Sequence, residues 1–216
     1  MPELEQEQER ISVSFMLDYI PIGASTSMSN HRQDEKYAKI INTSREVFST
    51  LGYKGTTVER IAKSAGISKG SIYLYFETKE DILSAIIDSC VQDMIERVEV
   101  ELSSEGTPEE RLYRAIYAAI MSRRHYSLMD KLSQEAREFG TPAPKHALDQ
   151  MDEATMRSVM TLLQKAVEQQ LVQIDDIRLT AFVLGHLYHS LTTEWERYYE
   201  PLSDEQIFNT IRRFLV

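Results

Sequence analysis

Residues 71–105 contain neither glycine nor proline, and residues 109–139 contain neither as well. Runs of this length without a breaker read as one or two helices each, since a series of strands would need turns between them. The breakers cluster instead: Gly52, Gly55, Gly66 and Gly70; Gly106 and Pro108; Gly140, Pro142 and Pro144; then Gly185 and Pro201. Eight glycines and six prolines in 216 residues are about half the average usage. No period-two alternation is sustained and no repeat of fixed period is visible. The expected fold class is all-α.

Within that frame the first half can be read helix by helix. Ile40, Ile41, Val47, Phe48 and Leu51 recur at helical spacing over residues 35–51, and Gly52 ends that helix with Tyr53 placed to touch Phe48 as the hydrophobic partner of a C-cap. Thr56-Thr57-Val58-Glu59 reads as a capping box in which Thr56 bonds forward and Glu59 bonds back. It opens a short helix over 57–65, and Gly66 follows. Ser68 is an N-cap for a third short helix through Phe76, and Thr78 for a long fourth one from Lys79. Further helices are expected near 109–124, 127–138, 145–171, 176–199 and 204–215.

Charge is distributed unevenly along the chain. The net value is −10, made of −4 over residues 1–27, +4 over residues 28–79 and −10 over residues 80–216. A basic block on an acidic body points to a nucleic-acid-binding head. Cys90, the one cysteine, excludes an internal disulfide and a thiolate-rich zinc site, and reads as an inert buried residue. No run of about 18 apolar residues marks a membrane span, and the acidic start lacks the features of a secretory signal. A cytoplasmic protein with no membrane association is expected. There is no nucleophile–base pair, phosphate loop or metal-ligand spacing, so the reading is not an enzyme, and no cofactor or metal site is expected.

The segment Thr57–Phe76 is a helix, a glycine turn and a second short helix. Ala62 is small where two helices cross, Gly66 takes the turn, and Ile67 and Ile72 plug the core. Lys69, Gly70, Ser71, Tyr73 and Tyr75 then face outward, short or polar enough for a major groove. The string TTVERIAKSAGISKGSIYLYFETKEDIL resembles the DNA-binding domain of the TetR family of transcriptional regulators. The matching residues are Thr57, Ile61-Ala62, Ala65-Gly66-Ile67-Ser68, Gly70, Ile72-Tyr73, Tyr75-Phe76, Lys79 and Ile82. Ile67 replaces the family's valine, and Tyr75 stands where histidine is usual.

The resemblance implies a three-helix, N-terminal helix-turn-helix domain joined to a larger helical domain for ligand binding and dimerisation. The expected division is 1–30 an extension, 31–79 the DNA-binding head and 80–216 the body. Residues 1–27 read as a disordered extension or an upstream-start artefact, with a short amphipathic arm as the alternative. Thr57, Ser68, Lys69, Gly70, Ser71, Tyr73, Tyr75 and Lys79 inherit the DNA-contact role; Lys69, Gly70 and Tyr73 are candidates for base contact and the others for phosphate. Simple packing is the competing account of Tyr73. Lys79 at a helix start opposes the helix dipole, which a phosphate would offset.

In the body, helix 109–124 carries two apolar rows: Leu112, Ile116, Ile120 and Tyr113, Tyr117, Met121. The second row, with Met94, Met156, Met160, Phe182 and His186, is the expected lining of a ligand cavity, apolar and adaptable. His186 or His189 would meet a polar end of the ligand. Leu184, Leu191, Trp195, Phe208, Ile211 and Leu215 are left for a dimer interface. The implied function is a homodimeric regulator, acting as a repressor on palindromic double-stranded operator DNA. A small apolar or amphipathic inducer, a fatty acyl compound among the candidates, would release it. An activator of the same fold, or a helix-turn-helix adaptor acting through protein partners, is the alternative.

Overall fold

The computed structural model describes residues 31–121 and 127–214. The described residues form α1 (His31–Gly55), α2 (Val58–Ala65), α3 (Lys69–Tyr73), α4 (Lys79–Leu102), α5 (Pro108–Met121), α6 (Ser127–Phe139), α7 (Pro142–Glu168), α8 (Ile177–His189) and α9 (Asp204–Arg212). No strand occurs among them. The expected extension over 1–30 lies outside the described residues, as does Leu215.

The helix boundaries follow local chemistry. Gly52 interrupts α1 with φ 72°, a left-handed value that glycine adopts without a Cβ penalty. Beyond it Tyr53 folds back onto Phe48, the rings stacked with centroids 6.0 Å apart. Thr57 caps α2, accepting from the Arg60 N–H at 3.3 Å. The expected capping box is thus displaced by one residue: the Thr56 hydroxyl is buried and donates backward to the Gly52 carbonyl at 2.6 Å. Ser68 caps α3 through the Ser71 N–H, and Thr78 with Asp81 forms a complete capping box on α4. Pro142 starts α7 in the first turn, where its missing N–H costs nothing. After His189 the α8 run tightens and loosens through a π-helical turn, Ser190–Glu194, and a 3₁₀ turn, Trp195–Arg197.

Two hydrophobic cores organise the packing. The head-side core gathers Ile40, Phe48, Ile61, Ile72, Ile82 and Ile86 with Leu128, Leu132 and Met151. It therefore joins α1–α4 to α6 and the first half of α7, across the division expected at residue 79. The distal core gathers Val98 and Leu102 of α4 with Leu112, Ile116, Ile120, Leu163, Leu184, Ile207 and Ile211. Helices α4 and α7 contribute to both.

Candidate nucleic-acid interface and ligand cavity

The helix-turn-helix is held by short contacts of its own. Gly66 takes φ 63° at the end of α2, and its N–H and that of Ile67 satisfy the last carbonyls of that helix. Ile61 and Ile72 are fully buried and fix α3 against α2. This inward pull on Ile72 turns Lys69, Gly70 and Tyr73 to the surface. A Cβ added at Gly70 would meet only the Ser68 hydroxyl at 3.8 Å. Nothing inside the chain demands glycine there.

Of the eight residues expected to meet DNA, Thr57, Ser68, Lys69, Gly70 and Tyr73 are exposed, while Ser71, Tyr75 and Lys79 are half-buried. Lys69 sits over the Tyr73 ring, 5.4 Å from its centroid, and pairs with Glu59. The pair holds the Glu59 carboxyl below its usual range and raises Lys69, through their mutual hydrogen bond first. Tyr75 packs against Tyr37 and Phe76. Lys79 has partners inside the chain. Its ammonium donates to the carbonyls of Tyr53 at 2.9 Å and Thr56 at 3.2 Å, over the Tyr53 ring. The unfavourable start-of-helix charge is thus offset by carbonyls at the end of α1. Two further residues share this face without a sequence signal for it: Glu59, which pairs with Lys69, and Leu74, 83% exposed beside Tyr73.

A cavity of about 870 Å³ opens between α4, α5 and α9, within the range of small-molecule sites. Tyr113, Tyr117, Met121, Val100 and Phe208 supply its apolar surface. Tyr117 meets Phe208 edge-on at 5.2 Å and donates to the Asp204 carbonyl at 2.9 Å, tying α5 to α9. Arg97, Arg114 and Arg212 and carboxylates of α4, α5 and α9 line the remainder. Arg114 is held by Glu101 at 3.1 Å and by Ser104 at 2.6 Å. The Arg212 guanidinium stands over the Tyr113 ring at 5.5 Å.

Three of the eight expected ligand residues, Tyr113, Tyr117 and Met121, line this cavity. Met94 is fully buried in the head-side core, with the Thr155 hydroxyl 3.7 Å from its sulfur. Met156 and Met160 pack against the distal core and do not line the cavity. Phe182 and His186, expected to point inward, are exposed, their rings 3.9 Å apart. The reason is helical phase: α8 buries Ala181, Leu184 and Tyr188, and a helix has one inner stripe. His189 is exposed too. Of the residues expected at a dimer interface, Leu184 and Ile211 are buried within the protomer, Phe208 walls the cavity, and Leu191 and Trp195 are half-buried. The outward face of α8 carries Leu179, Phe182 and Val183 instead, 58%, 50% and 43% exposed. Burial in the head-side core pushes the Cys90 thiol up to about 11. No described helix is long and apolar enough to cross a membrane.

Comparison with known proteins agrees with this geometry. Residues 40–86 match the sequence profile of the bacterial regulatory proteins of the tetR family. An uncharacterized HTH-type transcriptional regulator of Bacillus subtilis (strain 168), YhgD, is 28% identical over 177 residues, 82% of this chain and 93% of its own. The fatty acid metabolism regulator protein of the same organism is 38% identical over 94 residues, 44% of this chain and 45% of that protein. Among solved structures, the transcriptional regulator FadR from Bacillus subtilis in complex with stearoyl-CoA superposes with a TM-score of 0.63 at 23% identity. It spans 83% of this chain and 97% of its own, a likeness of fold. The helix-turn-helix, the helical body and these matches agree: residues 40–86 carry the profile of the tetR family, and the chain as a whole is similar to HTH-type transcriptional regulators.

Proposed function

We propose that the protein is a repressor that binds a palindromic operator as a homodimer and leaves it when an amphipathic molecule enters the cavity between α4, α5 and α9. The observation that carries this reading is the course of α4. It starts at Lys79 beside the helix-turn-helix and reaches the cavity through Asp93, Arg97 and Val100. One rigid element thus touches both sites, and a shift along it moves the heads apart. Tyr113, Tyr117, Met121 and Phe208 would hold the apolar part of the ligand. Arg97, Arg114 and Arg212, rather than His186 or His189, would meet an anionic end. A fatty acyl compound fits that division, and the complex of the Bacillus subtilis relative with stearoyl-CoA supports the choice.

The second copy would pack on the outward face of α8, where Leu179, Phe182 and Val183 form an apolar surface at i, i+3 and i+4. Two heads would then reach half-sites about 34–36 Å apart, or a multiple of that spacing. Thr57, Ser68, Lys69, Gly70, Ser71, Tyr73 and Tyr75 would meet the operator, with Lys79 holding the joint behind them.

The test uses an operator selected from random duplexes by the protein. Affinity for stearoyl-CoA, and for acyl-CoAs of shorter chain, is measured with and without that duplex. Linkage requires that ligand and operator weaken each other by one factor, typically about 1–3 kcal/mol in coupling. Equal ligand affinities in the two conditions overturn the mechanism, and a monomer by light scattering at micromolar concentration overturns the dimer.

A further inference from the structure

Glu135, on α6, is a buried carboxylate that the reading above does not use; it is 6% exposed. It reaches across to the interruption in α1. One oxygen accepts the Lys54 N–H at 3.1 Å. The other lies where a side chain at Gly52 would begin and leaves no room for a Cβ there. Gly52 is therefore glycine twice over: its φ is 72° and the carboxylate occupies its side-chain space.

The segment gripped in this way is the base of the helix-turn-helix. Once Gly52 breaks α1, the regular ladder of that helix is interrupted; Thr56 returns to the Gly52 and Tyr53 carbonyls within the segment, and other groups of residues 52–56 find partners outside it. The carbonyls of Tyr53 and Thr56 receive the Lys79 ammonium, and the Tyr53 hydroxyl donates to Glu80. Those partners belong to the start of α4. The Lys54 N–H donates to Glu135 of α6. The next residue after the segment is Thr57, which caps α2. Two body helices thus hold the same joint from opposite chemical sides, α4 through the carbonyls and α6 through an amide.

We propose that Glu135 is a positioning residue for operator binding: by capping the interrupted end of α1 from α6, it sets the angle at which the helix-turn-helix leaves the body. This rests on DNA binding by the head and on none of the ligand or repressor assignments. Helix α6 is the neighbour in sequence of α5, which lines the cavity with Tyr113, Tyr117 and Met121. The cap gives the body a grip on the head that is separate from α4.

The test separates positioning from mere folding by comparing two DNAs. Affinity for the selected operator needs all contacts in register, whereas affinity for random duplex is mainly electrostatic and tolerates misalignment. Glu135→Ala is expected to lower the ratio of operator to random-duplex affinity by about tenfold, the effect of losing a buried hydrogen bond to a charged group. Its random-duplex affinity should stay within about twofold of the parent. Glu135→Gln keeps an oxygen acceptor in place and should restore the ratio to within about threefold. A ratio unchanged in Glu135→Ala overturns the proposal, whether both affinities persist or both fall together with the folded fraction. A ratio in Glu135→Gln as low as in Glu135→Ala overturns the capping assignment. If the parent chain selects no duplex at all, the DNA-binding reading fails first and this inference falls with it.

Discussion

The head-side core and the distal core are built from the same residue types but are closed differently. The head-side core is enclosed by α1–α4, α6 and α7, and Phe48, Ile61, Ile72, Ile86 and Met94 within it are fully buried. The distal core borders the cavity, and residues at its edge, Tyr117 and Phe208, face open volume. A close-packed core transmits displacement because it cannot deform continuously, whereas a wall with a void beside it can yield to a ligand. Under the proposed function, rigid packing lies where geometry would be delivered to DNA and compliance where a small molecule would enter.

The largest expected effect tests whether the head-side core is one unit. Phe48→Ala removes a fully buried ring stacked on Tyr53 and should cost about 3–5 kcal/mol. Because that core includes α6 and the first half of α7, amide exchange should accelerate in Leu128–Leu132 along with α1–α3. Helices α5, α8 and α9 should keep their protection. Acceleration confined to α1–α3 would break the comparison and make the head an independent unit.

The next effect lies on the exposed side of that core. Lys69→Ala should lose about tenfold in operator affinity and relax sequence preference if Lys69 grips a base edge. If it meets only phosphate, affinity should fall evenly across sequences and the salt slope should drop by about one. Lys69 is paired with Glu59, so a DNA contact by Lys69 would part them. Glu59→Gln should accordingly raise operator affinity, by about twofold, the scale of an exposed ion pair. Gel-shift titrations at several salt concentrations measure both variants, and a weaker operator complex in Glu59→Gln would show that Glu59 itself serves DNA recognition.

The two cores were also unequally legible in the sequence. The head is written in local signals: Gly52, Gly66, Ser68 and Thr78 each stop or start a helix by their own backbone or side-chain chemistry, and the structure has all four in those roles. Lys79 shows where local reading ends. Its position at a helix start was visible, but its partners, the carbonyls of Tyr53 and Thr56, lie more than twenty residues away. In the body, the rows on α5 were readable because the whole helix has one clear inner face. Helix α8 has apolar residues on two faces, and only packing against the rest of the distal core chooses Ala181, Leu184 and Tyr188 as the inner one. That choice put Phe182 outside and Leu184 inside. Glu135 had no sequence signal: a glutamate in an amphipathic helix reads as solvated until the Gly52 interruption is seen opposite it.

A smaller effect sharpens the distal side. Phe208→Ala enlarges an existing void and leaves Tyr117 without its edge-on partner, at about 1–3 kcal/mol for a half-buried ring. Thermal melting should register that loss, while operator affinity of the folded protein in the absence of ligand should stay within about twofold. Ligand affinity should fall. Loss of operator binding in a folded Phe208→Ala would mean that the cavity wall holds the head even when empty, and the compliant role assigned to it would be wrong.

The smallest effect belongs to Cys90 and separates the cores by pH. The thiol lies in the sealed head-side core, and burial raises it from an ordinary value near 9 to about 11. A raised folded value means that the native state holds the proton more tightly than the unfolded chain does. The stability linked to this group is complete below about pH 9 and is lost as pH rises through about 11. Cys90→Ala has no such group, so the melting-temperature gap between parent and variant should be constant from pH 7 to 9 and shift against the parent above that. Tyrosine and lysine titrations are common to both proteins and cancel in the gap. The same burial should leave native Cys90 unreactive toward a disulfide reagent at pH 8 and make it reactive on unfolding. Rapid modification of the folded protein at pH 8 would show that the head-side core opens locally, and the contrast between a closed core and a yielding one would then have to be drawn within the head itself.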